Sequence, residues 1–346
     1  MPELTCPIPL NEYPKVLLAH GGGGRLTHQL IDKMFWPSFD NPLLRPLHDG
    51  AIFSLDGQRL AFTTDSYVVH PPFFPGGDIG RLSVFGTAND LAMCGARPLF
   101  ISCGLILEEG LPMEDLWTLT LSIREAAQEA GVQVITGDTK VVERGKGDAI
   151  FINTSGIGGV LPGVDVGPHR LRPGDEILIS GPIGLHGIAI MAVRENLGLE
   201  STLQSDSGPV FPMVEALAQE GLDIHMLRDP TRGGVSSALN EMARQGQVGV
   251  AIEEETIPIP SEVEGACEIL GLDPLHVANE GNFIAIVAEG QGETALAVLR
   301  DQPSGREAAL IGRVVGDHPG VVVLRTALGS HRVLDMMSGE QLPRIC

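Results

Sequence analysis

Residues 161–174 carry three prolines and three glycines, and they divide a chain of 346 residues into two halves of similar pattern. Proline removes an amide donor and fixes φ, and glycine frees the backbone, so a stretch dense in both continues neither helix nor strand. On either side of it, short apolar runs alternate with segments whose apolar residues recur every three or four positions. That alternation in both halves predicts two α/β or α+β domains, each a sheet with helices packed on it, with the strand order left open.

In the first half, 59–64 reads as a strand ending at Asp65, and 78–94 as a helix with Ile79, Leu82, Phe85 and Leu91 inward. A buried strand follows over 99–107, then a helix over 112–130 stopped by Gly131. A short strand over 132–136 is expected to deliver Gly137-Asp138-Thr139-Lys140 into a loop, with another strand over 149–160. In the second half, 176–180, 249–252, 283–288 and 308–315 read as strands, and 187–195, 212–220 and 235–245 as helices. The first 45 residues look irregular, and Gly21-Gly22-Gly23-Gly24 reads as a mobile loop. The expected division is a glycine-rich mobile segment over 1–45, domains over 46–162 and 170–335, and a polar, flexible tail over 336–346.

Charge and composition exclude several classes of function. Against 44 Asp and Glu stand 23 Lys and Arg, a net charge of −21, whereas tracking a nucleic-acid backbone needs clustered cations. Aromatic residues are 4% of the chain, too few for base-stacking platforms. Hydrophobic residues make up 43%, enough for a core and too many for a disordered chain. No apolar run reaches the roughly 20 residues that cross a membrane, and residues 1–10 lack the basic and apolar regions of a signal peptide. Cys6, Cys94, Cys103, Cys267 and Cys346 are odd in number and contain no CxxC, so neither a disulfide framework nor a thiolate zinc site is indicated. The expectation is a cytoplasmic protein with reduced thiols. The last residue is one of those thiols, on a tail expected to be exposed, and reads either as coincidence or as a tethered thiol able to visit more than one active site.

Chemistry is suggested by Asp49, Asp65, Asp90 and Asp138, each beside small or hydroxyl residues and a buried-looking run. Carboxylates converging on one cleft repel unless a cation lies between them, and oxygen donors without a His or Cys cluster favour Mg²⁺, which usually accompanies phosphate. Each Asp taken singly suits a helix cap or turn equally well. Asp229-Pro230-Thr231-Arg232-Gly233-Gly234 opens a helix with free amides and a guanidinium, a phosphate-binding arrangement or an ordinary helix start. In an extended run Asp138 and Lys140 point the same way, for phosphate, proton transfer or a surface ion pair. His20, His48 and His70 have no metal-ligand spacing and read as structural.

Taken together, these residues resemble the HypE family of hydrogenase maturation proteins, which are carbamoyl dehydratases. The resemblance runs over nearly the whole chain. It rests on His20-Gly21 to Arg25, Thr63-Thr64-Asp65-Ser66, Phe73 to Gly80, Asn89-Asp90-Leu91-Ala92, Gly137 to Lys140, Arg228 to Gly234, Asn279-Glu280-Gly281 and the closing Pro343-Arg344-Ile345-Cys346. That ending is highly specific, whereas the Asp motifs are shared with the wider family of aminoimidazole-ribonucleotide synthetase-like (PurM-like) ATP enzymes. Gly23 stands where the family's loop often carries Ser.

The resemblance implies a two-domain PurM-like fold, a homodimer formed through the N-terminal domains, and ATP bound near the dimer interface. It implies that a HypF-type carbamoyltransferase loads Cys346 with a carbamoyl group. ATP-dependent dehydration then gives a thiocyanate, and a HypC–HypD complex takes the cyano group to the iron of a [NiFe] hydrogenase. Gly22, Gly23, Gly24, Arg232 and Gly233 would contact ATP. Asp65, Asp90, Asp138 and Asp229, with Asp49, would hold Mg²⁺-ATP, and Lys140 and Glu280 would move the nitrogen protons. Glu280 by itself reads equally as an exposed turn residue before Gly281. Two other functions compete: another ATP enzyme of the same fold, such as a selenophosphate synthetase or thiamine-monophosphate kinase, and a non-enzymatic carrier that only presents Cys346. Cys6 lacks the neighbouring Lys expected of the selenophosphate enzyme.

Overall fold

The structure, a computed structural model, describes residues 14–198, 203–336 and 345–346. Cys6 and residues 337–344 of the expected flexible tail lie outside the described residues.

The N-terminal segment is more ordered than its glycines suggest. Helix α1 (Arg25–Leu30) runs through a π-helical turn over Ile31–Phe35 into α2 (Trp36–Phe39), so the expectation of an irregular segment fails over 25–39. Next come β1 (Ala51–Leu55), β2 (Gln58–Tyr67), the two-residue strands β3 (Phe73–Phe74) and β4 (Gly77–Asp78), and α3 (Ile79–Met93). Strand β5 (Ala96–Glu108), helix α4 (Met113–Glu129), β6 (Gln133–Val142) and β7 (Ile150–Val160) complete the first half. Its five-stranded sheet has the order β1-β2-β7-β5-β6, antiparallel except for the parallel pair β5–β6.

Helix α3 starts where Asp78 accepts hydrogen bonds from the amides of Gly80 and Arg81, a side-chain N-cap. Nearly every residue of α3 is buried, because it lies between the sheet, α4 and the second half of the chain. The four inward residues expected from periodicity are all buried, but the periodicity showed only one of the buried faces.

The second half contains β8 (Glu176–Ile179), α5 (Leu185–Arg194), α6 (Phe211–Gln219), β9 (Ile224–Arg228), α7 (Gly234–Gly246), β10 (Gly249–Glu253) and α8 (Ser261–Leu270). It ends with β11 (Ile284–Val287), α9 (Gly292–Asp301), β12 (Ala309–Val315), β13 (Val322–Arg325) and β14 (His331–Val333). The seven-stranded sheet has the order β14-β13-β10-β12-β8-β11-β9, parallel only between β10 and β13. Its two faces bury separate apolar clusters, one around Leu239, Met242 and Ile284 beneath α7, the other around Val214, Phe283 and Leu299 beneath α6 and α9. The chain is therefore two sheet domains flanked by helices, as its alternation predicts. Among the described residues no helix is long and apolar enough to cross a membrane.

Candidate active site

Three carboxylates from distant parts of the chain meet between the two halves. Asp49 precedes β1, Asp90 lies in α3 and Asp229 follows β9 directly. One oxygen from each lies within 4.8 Å of the others. Burial pushes all three carboxyl groups upward, and Asp229 adds to the shift of Asp49 and Asp90; Asp229 is itself pushed up to about 6 by burial although Arg228 opposes the shift. Thr63 supports the group, its hydroxyl 2.7 Å from Asp90 Oδ2 and 2.9 Å from the Asp49 carbonyl. Asp49 Oδ2 is buried and has no hydrogen-bond partner. An oxygen-only set with an orphaned carboxylate oxygen fits a hard divalent cation such as Mg²⁺.

Arg228 balances part of this charge. Its Nε lies 3.0 Å from Asp49 Oδ1, and its Nη2 pairs with Glu241 of α7. The other oxygen of Glu241 is 3.0 Å from Nε2 of His28 in α1, which ties the N-terminal helix to the site. The glycine run is likewise docked. Arg232 Nη1 donates to the Gly21 carbonyl at 3.3 Å, Ser237 donates to the Gly23 carbonyl at 3.4 Å, and the Gly23 amide donates to Thr27 Oγ1 at 3.1 Å. Gly22 and Gly24 share this loop, Gly24 as the N-cap of α1. Gly233 caps α7 with φ of +80°, in the left-handed region that favours glycine.

Glu280 is 3% exposed, so the reading as an exposed turn residue fails. Its amide donates to both carboxylate oxygens of Asp206, at 3.1 and 3.2 Å, and the Gly281 amide donates to Asp206 Oδ2 at 3.1 Å. Asn89 Nδ2 donates to the Glu280 carbonyl at 3.2 Å. Glu280 Oε1 is buried without a hydrogen-bond partner, and burial, reinforced by Asp229 and Asp206, lifts its pKa well above the usual carboxylate range. Asp206 itself is pushed up to about 6 by burial, although the amides of Glu280, Gly281 and Asp206 itself and the Asn282 side chain oppose the shift.

Cys346 is not on an exposed arm in this structure. The Val68 amide donates to its terminal oxygen at 3.1 Å. Burial pushes its thiol up to about 12; Arg232 opposes that shift, while Glu280, Asp65 and Asp229 add to it. Arg232 Nη2 lies 4.0 Å from Asp65 Oδ1, placing Asp65 beside the cluster and outside the three-carboxylate group.

Asp138 and Lys140 are placed differently. The run 137–140 does not enter a loop but lies within β6, whose hydrogen bonding to β5 continues to Val142. The two side chains do share a face, with Lys140 Nζ 2.6 Å from Asp138 Oδ2, and both are 68% exposed. Within one protomer Asp138 is not part of the carboxylate group, because β6 is the sheet edge.

Sequence reading gave no role to Asp206, Arg228, Glu241 or His186, whose Nε2 lies 2.5 Å from the Ile345 carbonyl, although Arg228 opens one of the motifs that carry the resemblance. Each acts through partners 13 or more positions away, such as Asp206 on Glu280 and Arg228 on Glu241, so local pattern carries no signal for them.

Residues 47–160 match the family of AIR synthase related proteins in its N-terminal domain and residues 172–325 in its C-terminal domain. Fold and site thus define an AIR synthase related protein. The chain is 51% identical over 333 residues to carbamoyl dehydratase HypE of Rhizobium leguminosarum bv. viciae, covering 96% of this chain and 95% of that protein. It aligns with the crystal structure of HypE in complex with ATP at a TM-score of 0.81 and 51% identity, over 96% and 100% of the two chains. With a chain of the HypE–HypF complex the TM-score is 0.84 at 45% identity, over 89% and 99%. The chain belongs to the HypE family of carbamoyl dehydratases.

Proposed function

We propose that this chain catalyses the ATP-dependent dehydration of a carbamoyl group carried on the Cys346 thiol, the step of [NiFe] hydrogenase maturation that forms a thiocyanate as cyanide donor. The observation that carries the reading is the docking of the half-buried terminal thiol within the field of Glu280, Arg232 and Asp65, beside three converging carboxylates.

The thiocarbamate oxygen is a poor leaving group. Its attack on the γ-phosphorus of ATP releases ADP and converts that oxygen to phosphate. Loss of both nitrogen protons and of the phosphate then leaves S–C≡N, so thiocarbamate and ATP give thiocyanate, ADP, phosphate and a proton. Glu280, with a free buried oxygen and a pKa raised by burial, is suited to take a nitrogen proton. Arg232, with the glycine loop laid against it and the α7 N-terminus behind it, is placed to hold phosphate oxygens. Asp49, Asp90 and Asp229, with Asp65 nearby, would hold Mg²⁺, which when bound neutralises charge on the β- and γ-phosphates.

Two further roles rest on a second copy of the chain. The β6 edge exposes Val134, Ile135 and Val141 together with Asp138 and Lys140. We assign this edge to a homodimer interface that brings Asp138 and Lys140 to the partner's site. Loading of Cys346 by a HypF-type carbamoyltransferase requires the thiol outside its pocket. Docked, the thiol has its pKa pushed up to about 12 and stays protonated at pH 7. Delivery of the cyano group to a HypC–HypD complex requires the same excursion of the tail.

Mass spectrometry of the C-terminal peptide tests the reading. With a HypF-type carbamoyltransferase, carbamoyl phosphate and ATP, a carbamoyl adduct on Cys346 should form and lose one water when Mg²⁺-ATP is added. The same adducts in Cys346→Ala would sink the assignment.

A further inference from the structure

Glu280 is held through its backbone by side chains from both halves of the chain. Strand β11 begins at Ile284, and its pairing with β8 and β9 does not reach residue 280. On the amide side stands Asp206, in the loop before α6. Its carboxylate accepts from the Glu280 amide on both oxygens, and its Oδ2 also accepts from the Gly281 amide and, at 3.1 Å, from Asn282 Nδ2. On the carbonyl side stands Asn89, 2% exposed in α3 and next to Asp90. Its Nδ2 donates to the carbonyls of Glu280 and Gly208, the latter at 3.0 Å, and its Oδ1 accepts from the Val210 amide at 3.0 Å. The fit leaves no slack: a Cβ on Gly281 would lie 1.8 Å from the Asp206 carbonyl oxygen. Asn279 fixes the start of the run, its Nδ2 3.0 Å from the carbonyl of Pro230, one residue past Asp229.

A neutral oxygen would satisfy these amides equally. Asp206 instead turns a carboxylate inward, at a cost in solvation, and its charge adds to the upward shift of Glu280. Asp229 and Asp65 act on Glu280 in the same sense, and Arg232 opposes them. Stability does not account for a like charge there, whereas a group that must take up a proton gains from it.

We propose that Asp206 and Asn89 are positioning residues for Glu280, a clamp that fixes its carboxyl group relative to Asp90 and Asp229. The inference rests on the dehydratase reading and deepens it, by naming what holds the proton acceptor in register with the cation site. Both residues act through the backbone of residue 280 and not on the reacting group. Because Asn89 comes from the first half of the chain and Asp206 from the second, the clamp is complete only when the halves are docked.

The first measurement is amide hydrogen exchange on the full chain without nucleotide. Asp206→Asn keeps the shape but turns an –NH₂ towards donors. Exchange over 279–283 should quicken about tenfold, as for loss of a charge-assisted hydrogen bond, while β8 and β9 stay protected. The second measurement starts from protein carbamoylated on Cys346 and follows ADP and thiocyanate after Mg²⁺-ATP is added. Where the nitrogen proton is not removed, water attacks the phosphorus, phosphate leaves and the thiocarbamate returns, so ATP is hydrolysed without thiocyanate. Asp206→Asn should keep the wild-type KM for ATP and rate of ADP formation, and give about one tenth of the thiocyanate per ADP. A variant that only weakens the fold would lose both products together. Asn89→Ala should shift the same ratio several-fold and loosen 206–210 and 279–283, and it decides the matter if Asp206→Asn does not fold. Wild-type exchange over 279–283, or ADP and thiocyanate falling in step, overturns the proposal. If Glu280→Gln makes thiocyanate at the wild-type rate, the proton-acceptor role in the proposed function falls, and hydrogen exchange alone decides whether the clamp exists.

Discussion

Gly23 and Arg232 are packed so closely that a Cβ on Gly23 would lie 2.8 Å from both the Cβ and the carbonyl oxygen of Arg232. Gly23 also has φ of +75°, where a side chain is strained by about 1 kcal/mol or more. Both features favour glycine at position 23. Gly23→Ala should lower the melting temperature by about 2 °C, as expected for roughly 1 kcal/mol, and raise the KM for ATP about tenfold, because the loop must lift off the guanidinium. An unchanged KM in steady-state ATP hydrolysis would show that the loop does not cover the nucleotide.

The carboxylate cluster makes opposite predictions with and without cation. In the metal-free protein Asp90→Asn removes one of three repelling buried groups, and the melting temperature should rise by about 2 °C or more, as expected for roughly 1 kcal/mol. Adding millimolar Mg²⁺ with ATP should stabilise the wild type and leave the variant nearly unmoved. Equal Mg²⁺-ATP shifts in the two proteins, measured by thermal melting, would remove Asp90 from the ligand set.

If Lys140 serves the partner's site, two inactive variants should complement each other. Mixed at equal amounts and allowed to exchange subunits, Lys140→Ala and Glu280→Gln form half heterodimers, each with one intact site. Dehydration should then recover to about one quarter of the wild-type rate. No recovery, with heterodimers verified by native mass spectrometry, would place Lys140 in its own protomer's site or outside the reaction.

His186 links the C-terminal pocket to pH. Burial pushes it down to about 4 from 6.5, so folding favours the neutral ring. Its contribution is fully present above pH 6.5 and is lost as pH falls from 6.5 towards 4, where the unfolded chain binds a proton that the folded chain does not. Between pH 7 and pH 5 the wild type should lose about 2 kcal/mol relative to His186→Gln, at about 1.4 kcal/mol per pKa unit. Parallel urea-unfolding curves for the two proteins at both pH values would disprove a buried neutral His186.

The legible part of the fold was the part encoded over short distances. Helix α3 was readable because Asp78 caps it and its apolar residues recur with a helical period, and the end of α4 because Gly131 follows it. Strands β13 and β14 and helices α8 and α9 left weaker marks and were missed, being short or broken by charge. The run 137–140 misled because its glycine and polar residues mimic a loop, whereas pairing with β5 holds it extended.

The site divided in the same way. Residue identity alone, through the Asp motifs, Asn279-Glu280-Gly281 and the terminal cysteine, determined which family the chain resembles and which groups could bind Mg²⁺-ATP and carry the substrate. Only tertiary structure decided that Asp49, Asp90 and Asp229 form one group while Asp138 stays on a sheet edge. It also decided that Glu280 is buried on Asp206 and that Cys346 docks through Ile345 and His186. The reason is that pKa, protonation and reach are set by burial and by partners across space. Pairs such as Arg228 with Asp49 and His186 with Ile345 join residues more than a hundred positions apart, where no local pattern records which neighbour is present.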